Sequence, residues 1–187
     1  MPSTHGKGSL YLCPQQPDFY LSDTSSLVAA LREIGLISQK INVQESSHHY
    51  YFTGDKYLDY IAYMGCAPSI QFEAGENDAD FCAIRLHRYE TAQLIHSQAQ
   101  SRAPHCPVCH KPVKDWQQCR TGSTISCTHC HTSSQIEKFN WRKMAGYARL
   151  FIEITDIFPK EAIPQQVLME KLSSITKTGW LYFYSCY

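Results

Sequence analysis

Two C-x-x-C pairs constrain this chain more than any other feature. In the stretch HCPVCHKPVKDWQQCRTGSTISCTHCH, residues 105–131, five cysteines and four histidines fall within 27 residues. Cys106 and Cys109 form one pair, Cys127 and Cys130 the other, and 17 residues separate them. Two thiolates three positions apart can share an ion when the chain between them turns tightly. Amides after the first cysteine then point at the sulfurs and reduce their repulsion. Two such turns facing each other make a tetrahedral S4 site, which zinc accepts and which stays closed to substrate. Spacing alone leaves iron of the rubredoxin type as an alternative to zinc. A thioredoxin-like redox pair is disfavoured by Pro107 behind Cys106 and by the second matching pair.

A catalytic metal needs an open position, commonly three protein ligands and a water, and four cysteines leave none. His105, His110, His129 and His131 flank the pairs and are read as exposed groups or as supports for the ligands. Cys119, in mid-loop, is read as a buried or free thiol. The expectation is one structural Zn2+ per chain on Cys106, Cys109, Cys127 and Cys130. Binding worth on the order of 10 kcal/mol would leave the segment disordered without metal.

From Pro104 to Trp141 the sequence resembles a zinc ribbon, and CPVC resembles a ribbon knuckle. That family uses four cysteines to staple short hairpins that lack a core of their own. The resemblance implies a fold and no activity. Over the last fifty residues, FNWRKMAGYARLFIEI, FPKEAIP and TGWLYFY look like the tail of bacterial proteins carrying a single internal ribbon, again with no activity attached. Trp141 and Arg142 are expected to close the ribbon onto a sheet, Gly146 to permit a tight turn, and Glu161 to cap a helix ahead of Pro164.

The whole chain's composition, 43 % hydrophobic and 18 % charged, is that of an ordinary globular protein. No apolar run reaches the 18 or so residues a membrane helix needs, and the N-terminus lacks the basic start and apolar block of a signal peptide. A cytoplasmic location is expected, in which nine cysteines serve as ligands and buried thiols rather than as disulfides. The net charge is zero but uneven. Residues 1–100 hold six Lys/Arg and eleven Asp/Glu, residues 101–145 seven against two, and residues 146–187 four of each. A basic module between an acidic part and a neutral tail marks either a nucleic-acid face or a module docked on an acidic neighbour.

Patterning outside the cluster reads as follows. SLYLCPQQPDFYL suggests an edge strand and a turn. Leu27, Leu31 and Ile34 predict a helix over 25–34 closed by Gly35. Tyr57, Tyr60, Ile61 and Met64 predict a short helix, followed by a strand at 69–73. FCAIRLHRY predicts a strand, ETAQLIH the start of a helix, and ARLFIEITDIF a strand. KEAIPQQVLMEKLSSIT predicts a helix with Pro164 in its first turn, and WLYFYSCY a final strand. The fold class is α+β: a mixed sheet with two or three helices, built from both chain ends (1–100 and 146–187), with the ribbon inserted at 101–145.

Other candidates are weaker. Glu73, Glu76, Asp78 and Asp80 match no calcium loop, and His48 and His49 lack neighbouring ligands. Tyr50, Tyr51, Tyr57, Tyr60, Tyr63, Tyr182, Tyr184 and Tyr187 read as a sheet face and the helix on it rather than as base-stacking platforms. The leading functional expectation is a non-enzymatic module that binds another protein. The alternative is nucleic-acid binding through Lys111, Lys114, Arg120, Lys138, Arg142 and Lys143. A third, an enzyme using His87, Arg85 and Asp80, has no motif behind it.

Overall fold

Strand β1 (Gly8–Pro14) is buried along its whole length, and its partners explain why. The computed structural model describes residues 8–41, 49–64, 70–73, 81–97, 102–158 and 161–186. After β1 come α1 (Ser25–Glu33), β2 (Ile37–Ile41), β3 (His49–Thr53), α2 (Tyr57–Tyr60), β4 (Ile61–Tyr63) and β5 (Ala83–His96). Then follow β6 (Thr124–Ser126), β7 (Ser133–Gln135), a 3-10 turn (Ile136–Lys138), β8 (Ala145–Ile157), β9 (Ala162–Pro164), α3 (Gln166–Thr176) and β10 (Trp180–Cys186). Six strands form one sheet in the order β10-β1-β8-β5-β3-β2, and β4–β9 and β6–β7 pair separately.

The α+β class holds, with three helices among the described residues and a sheet that uses both ends of the chain. The expectation of a mixed sheet is corrected. Every strand pair among the described residues is antiparallel, because no crossover brings a strand back parallel to its neighbour. Strand β1 is not an edge strand, since β10 and β8 flank it. Its proline causes no conflict, because Pro14 ends the strand and Pro17 lies beyond it.

One face of the sheet packs on the helices. Leu10, Leu12, Ile84, Leu86, Ile152 and Ile154 meet Leu27, Leu31, Leu168 and Leu172 in the main core. Helix α1 ends as the sequence predicts. Gly35 sits at φ +78°, its amide bonds to Arg32 O, and Leu36 N bonds to Leu31 O. That is a Schellman closure, which only a residue tolerant of positive φ completes without strain. The other face carries a smaller cluster of Tyr11, Cys13, Ala148, Phe151 and Phe183.

Several local expectations give way to pairing. Helix α2 is a single turn, and Ile61–Tyr63 leave it to pair with β9. No strand forms among described residues 70–73, and most of the acidic turn after them lies outside the described residues. ETAQLIH is strand, not helix, because β5 runs on to pair Gln93–His96 with Ala145–Ala148 across a register shift. Pro164 ends β9 instead of starting α3. Glu161 caps nothing, since Gln165 precedes the helix and makes no side-chain cap. Gly146 makes no turn. It lies within β8, where a Cβ would come 2.3 Å from the Phe183 ring, so its role is close approach.

Strands β5 and β8 form a long hairpin, and the cysteine-rich segment occupies the place of its turn. His96 and Ala145 are register partners, so the segment leaves and re-enters at adjacent positions.

Candidate metal centre

Each C-x-x-C pair sits on a tight turn, and the two turns repeat the same backbone bonds. In the first, Cys106 N bonds to Lys111 O and His110 N to Cys106 O; in the second, Cys127 N bonds to Thr132 O and His131 N to Cys127 O. Val108 N and His129 N each lie 3.4 Å from the first sulfur of their turn. His110 and His131 both take positive φ, at 58° and 59°. These histidines are therefore turn-closing residues, each exposed. A left-handed position favours glycine or asparagine sterically, so the repetition marks a demanding turn built twice.

The four sulfurs converge. All lie within 4.8 Å of one another, with Cys106–Cys130 at 3.7 Å and Cys109–Cys127 at 3.5 Å. Tetrahedral zinc with bonds of about 2.3 Å would place its sulfurs about 3.8 Å apart. The tetrad thus has the size of a single-ion cage. Its charge gathers on the second turn. The Thr132 side chain, 3.5 Å away, and then the Thr132 amide hold Cys130 down to about 6. The amides of Cys130 and His129 keep Cys127 below the ordinary thiol value. Cys109, despite the Lys111 amide, is pushed up to about 12 by desolvation and the neighbouring sulfurs. Four converging sulfurs, two of them held below the ordinary thiol value, make the donor set a soft or borderline cation takes.

Around the cage lies a small core. Cys106, Val113, Trp116, Cys127, Ile136, Phe139 and Trp141 are buried together. Strands β6 and β7, the bridge of His105 to Pro112 and Asn140, and the Trp141 Nε1 bond to Ile136 O (3.1 Å) close it. The segment is fixed to the hairpin through His96 of β5. That ring stacks on Trp141 at 4.9 Å, meets Trp116 edge-on, and its Nε2 donates to Cys119 O at 3.0 Å. Leu94 N donates to Thr121 Oγ1 (2.8 Å), and Arg142 reaches Ala103 O (2.9 Å). Trp141 closes the segment onto the sheet as expected, through His96; Arg142 does not, since it bonds to Ala103 O within the segment. Cys119 is half-buried beside Asp115, which with burial raises its thiol, and it stands outside the tetrad.

The six basic residues are all exposed. Arg142 is tied to Ala103 O, and Lys143 lies over the Tyr182 ring with Nζ 2.8 Å from its hydroxyl. Lys111, Lys114, Arg120 and Lys138 have no carboxylate partner among the described residues. Of the weaker candidates, Glu73 is exposed, and Glu76, Asp78, Asp80, His48 and Tyr187 lie outside the described residues. Tyr51, Tyr57, Tyr60 and Tyr184 are buried in the main core, as a packing role requires.

His87 and Arg85 meet a residue that sequence reading passed over. Glu153 is buried mid-sheet, takes a hydrogen bond from Ser9 Oγ at 2.6 Å and from His87 Nε2 at 2.7 Å, and has Arg85 at 3.7 Å. Burial pushes this carboxyl up. The bonds from His87 and Ser9 and the charges of His87 and Arg85 override it and leave Glu153 at about 2. One signal was available: a lone glutamate in the apolar run RLFIEITDIF.

Fold and site together define an antiparallel α+β protein whose central hairpin carries a four-cysteine insert able to hold a metal ion. Comparison with family models, curated proteins and solved structures yields no match.

Proposed function

We propose that the chain is a non-enzymatic, protein-binding adaptor whose insert is a zinc ribbon. A single Zn2+ on Cys106, Cys109, Cys127 and Cys130 staples that ribbon. The convergence of four sulfurs at near-tetrahedral spacing carries the reading. Four thiolates saturate zinc and leave no site for water or substrate, so the metal serves stability. Two turns with the same backbone bonds, the second of them closing the β6–β7 hairpin, support the ribbon assignment. The staple holds out a surface that includes Val108, 59 % exposed at the tip of the first turn. An exposed apolar side chain on a rigid turn suits contact with another protein.

Elemental analysis of protein purified without added metal tests the staple. Stoichiometric zinc, lost in each single Cys→Ser variant of the tetrad, is the expected result. Iron, or zinc retained after loss of one cysteine, would overturn it.

A second reading has one observation in its favour: four exposed cations of the insert have no carboxylate partner among the described residues. On that reading the insert binds nucleic acid. Affinity for an oligonucleotide that falls steeply with salt would support it, and no binding at low salt would remove it.

A further inference from the structure

Strand β10 is an edge of the six-stranded sheet, and its outer side is only half closed. Just beyond β1, Gln15 N donates to Gly179 O at 2.8 Å, so odd-numbered residues of β10 bond toward β1 and even-numbered ones turn outward. Two outward bonds close the far half of the strand. Tyr184 N donates to Lys143 O at 3.1 Å, and Ser97 Oγ donates to Cys186 O at 2.6 Å. The outward amides and carbonyls of Trp180 and Tyr182 have no backbone partner among the described residues.

A groove of about 1280 Å³ runs along this open half. It is lined by Trp180 and Tyr182 from one face of β10 and by Leu181 and Phe183 from the other, so it follows the strand's edge. Residues 141–143 and 145–147 also line it, with Met169 and Ser173 of α3 and the carboxylates Glu137 and Glu170. Its volume exceeds the roughly 300–1,000 Å³ of a small-molecule pocket. Leu181 stands 51 % exposed in the groove, and Arg142 and Lys143 have no carboxylate partner among the described residues.

We propose that this groove docks an extended segment of a partner protein, which adds to β10 at Trp180–Tyr182. Apolar side chains at alternate positions of that segment cover Leu181 and Met169, and a carboxylate meets Arg142 and Lys143. The mode is strand addition, in which backbone bonds supply affinity and alternate side chains supply specificity. The proposal rests on the adaptor reading and names where the adaptor binds.

A random dodecapeptide library displayed on phage and selected against the full, zinc-loaded chain supplies the probe. Enriched peptides should alternate apolar residues and carry an acidic one. Their binding should slow hydrogen exchange at the Trp180 and Tyr182 amides. Affinity should fall at least tenfold in Tyr182→Pro and in the double variant Arg142→Glu/Lys143→Glu. A peptide with its acid changed to lysine should regain binding to that double variant, which misfolding could not produce. Peptides that instead protect residues 107–110 or 128–131 would overturn the groove and leave the adaptor reading standing. Failure to enrich any peptide would sink both. A concentration-dependent dimer abolished by Leu181→Lys would assign the edge to a second copy and overturn the proposal.

Discussion

A side chain at position 146 would collide with the ring of Phe183, and Cys13 Sγ lies 3.0 Å from the same point. Phe183 is 1 % exposed and packed among Tyr11, Cys13, Ala148 and Phe151. Gly146→Ala should therefore destabilise the chain by about 1–3 kcal/mol, read from the urea midpoint, even though the backbone there is ordinary strand. Glu153 adds a dependence on acid. Its folded value of about 2 lies below the roughly 4.3 of an unfolded glutamate. The unfolded chain thus binds its proton first, and the carboxylate's contribution is complete above about pH 5 and drains away toward pH 2. On the order of 3 kcal/mol should disappear over that window, and Glu153→Gln should flatten the slope of stability against pH while lowering stability at neutrality. None of this contact geometry is legible locally. Ser9, His87 and Glu153 come from three strands, and only their pairing brings them within 2.7 Å.

The cysteine turns are the elements most readable from sequence, because each is specified within about six residues. Cys106 through Lys111 and Cys127 through Thr132 contain every bond their turns make. Elements that owe their state to distant chain were misread. The segment Thr91–His96 has helical composition, yet β8 imposes strand on it from some fifty residues away. Strand β1 looks like an edge until β8 and β10, both late in the chain, enclose it. On the zinc-staple reading the insert's small core depends on its cage, and two of the three tryptophans, Trp116 and Trp141, lie in it. Chelation should red-shift their emission and remove amide protection across 102–144. The six-stranded sheet should keep its protection, and Trp180→Phe should leave the fluorescence change intact.

At the level of the whole molecule, sheet and insert are separable by design of the hairpin. Replacing residues 97–144 with Asn-Gly, to join His96 to Ala145 through a two-residue turn, should give a chain that folds cooperatively. It should lose about 5 kcal/mol in all, roughly 1 for each of the His96–Trp141 stack and the bonds of Leu94, His96, Tyr184 and Cys186 to Thr121, Cys119, Lys143 and Ser97. Calorimetry gives the readout, and an unfolded product would show that the insert is required by the sheet.

The position of β1 also sets the order of assembly. It lies between β8 and β10, the last strands of the sheet to be synthesised. During translation the N-terminal strand therefore waits without neighbours, while the cysteine turns, complete by about residue 132, are ready for their ion well before synthesis ends. A nascent chain halted near residue 160 should already carry zinc on its insert while β1 still exchanges its amides freely. On the proposed zinc-staple reading the metal is taken up first, and the sheet closes around a hairpin whose tip has already set.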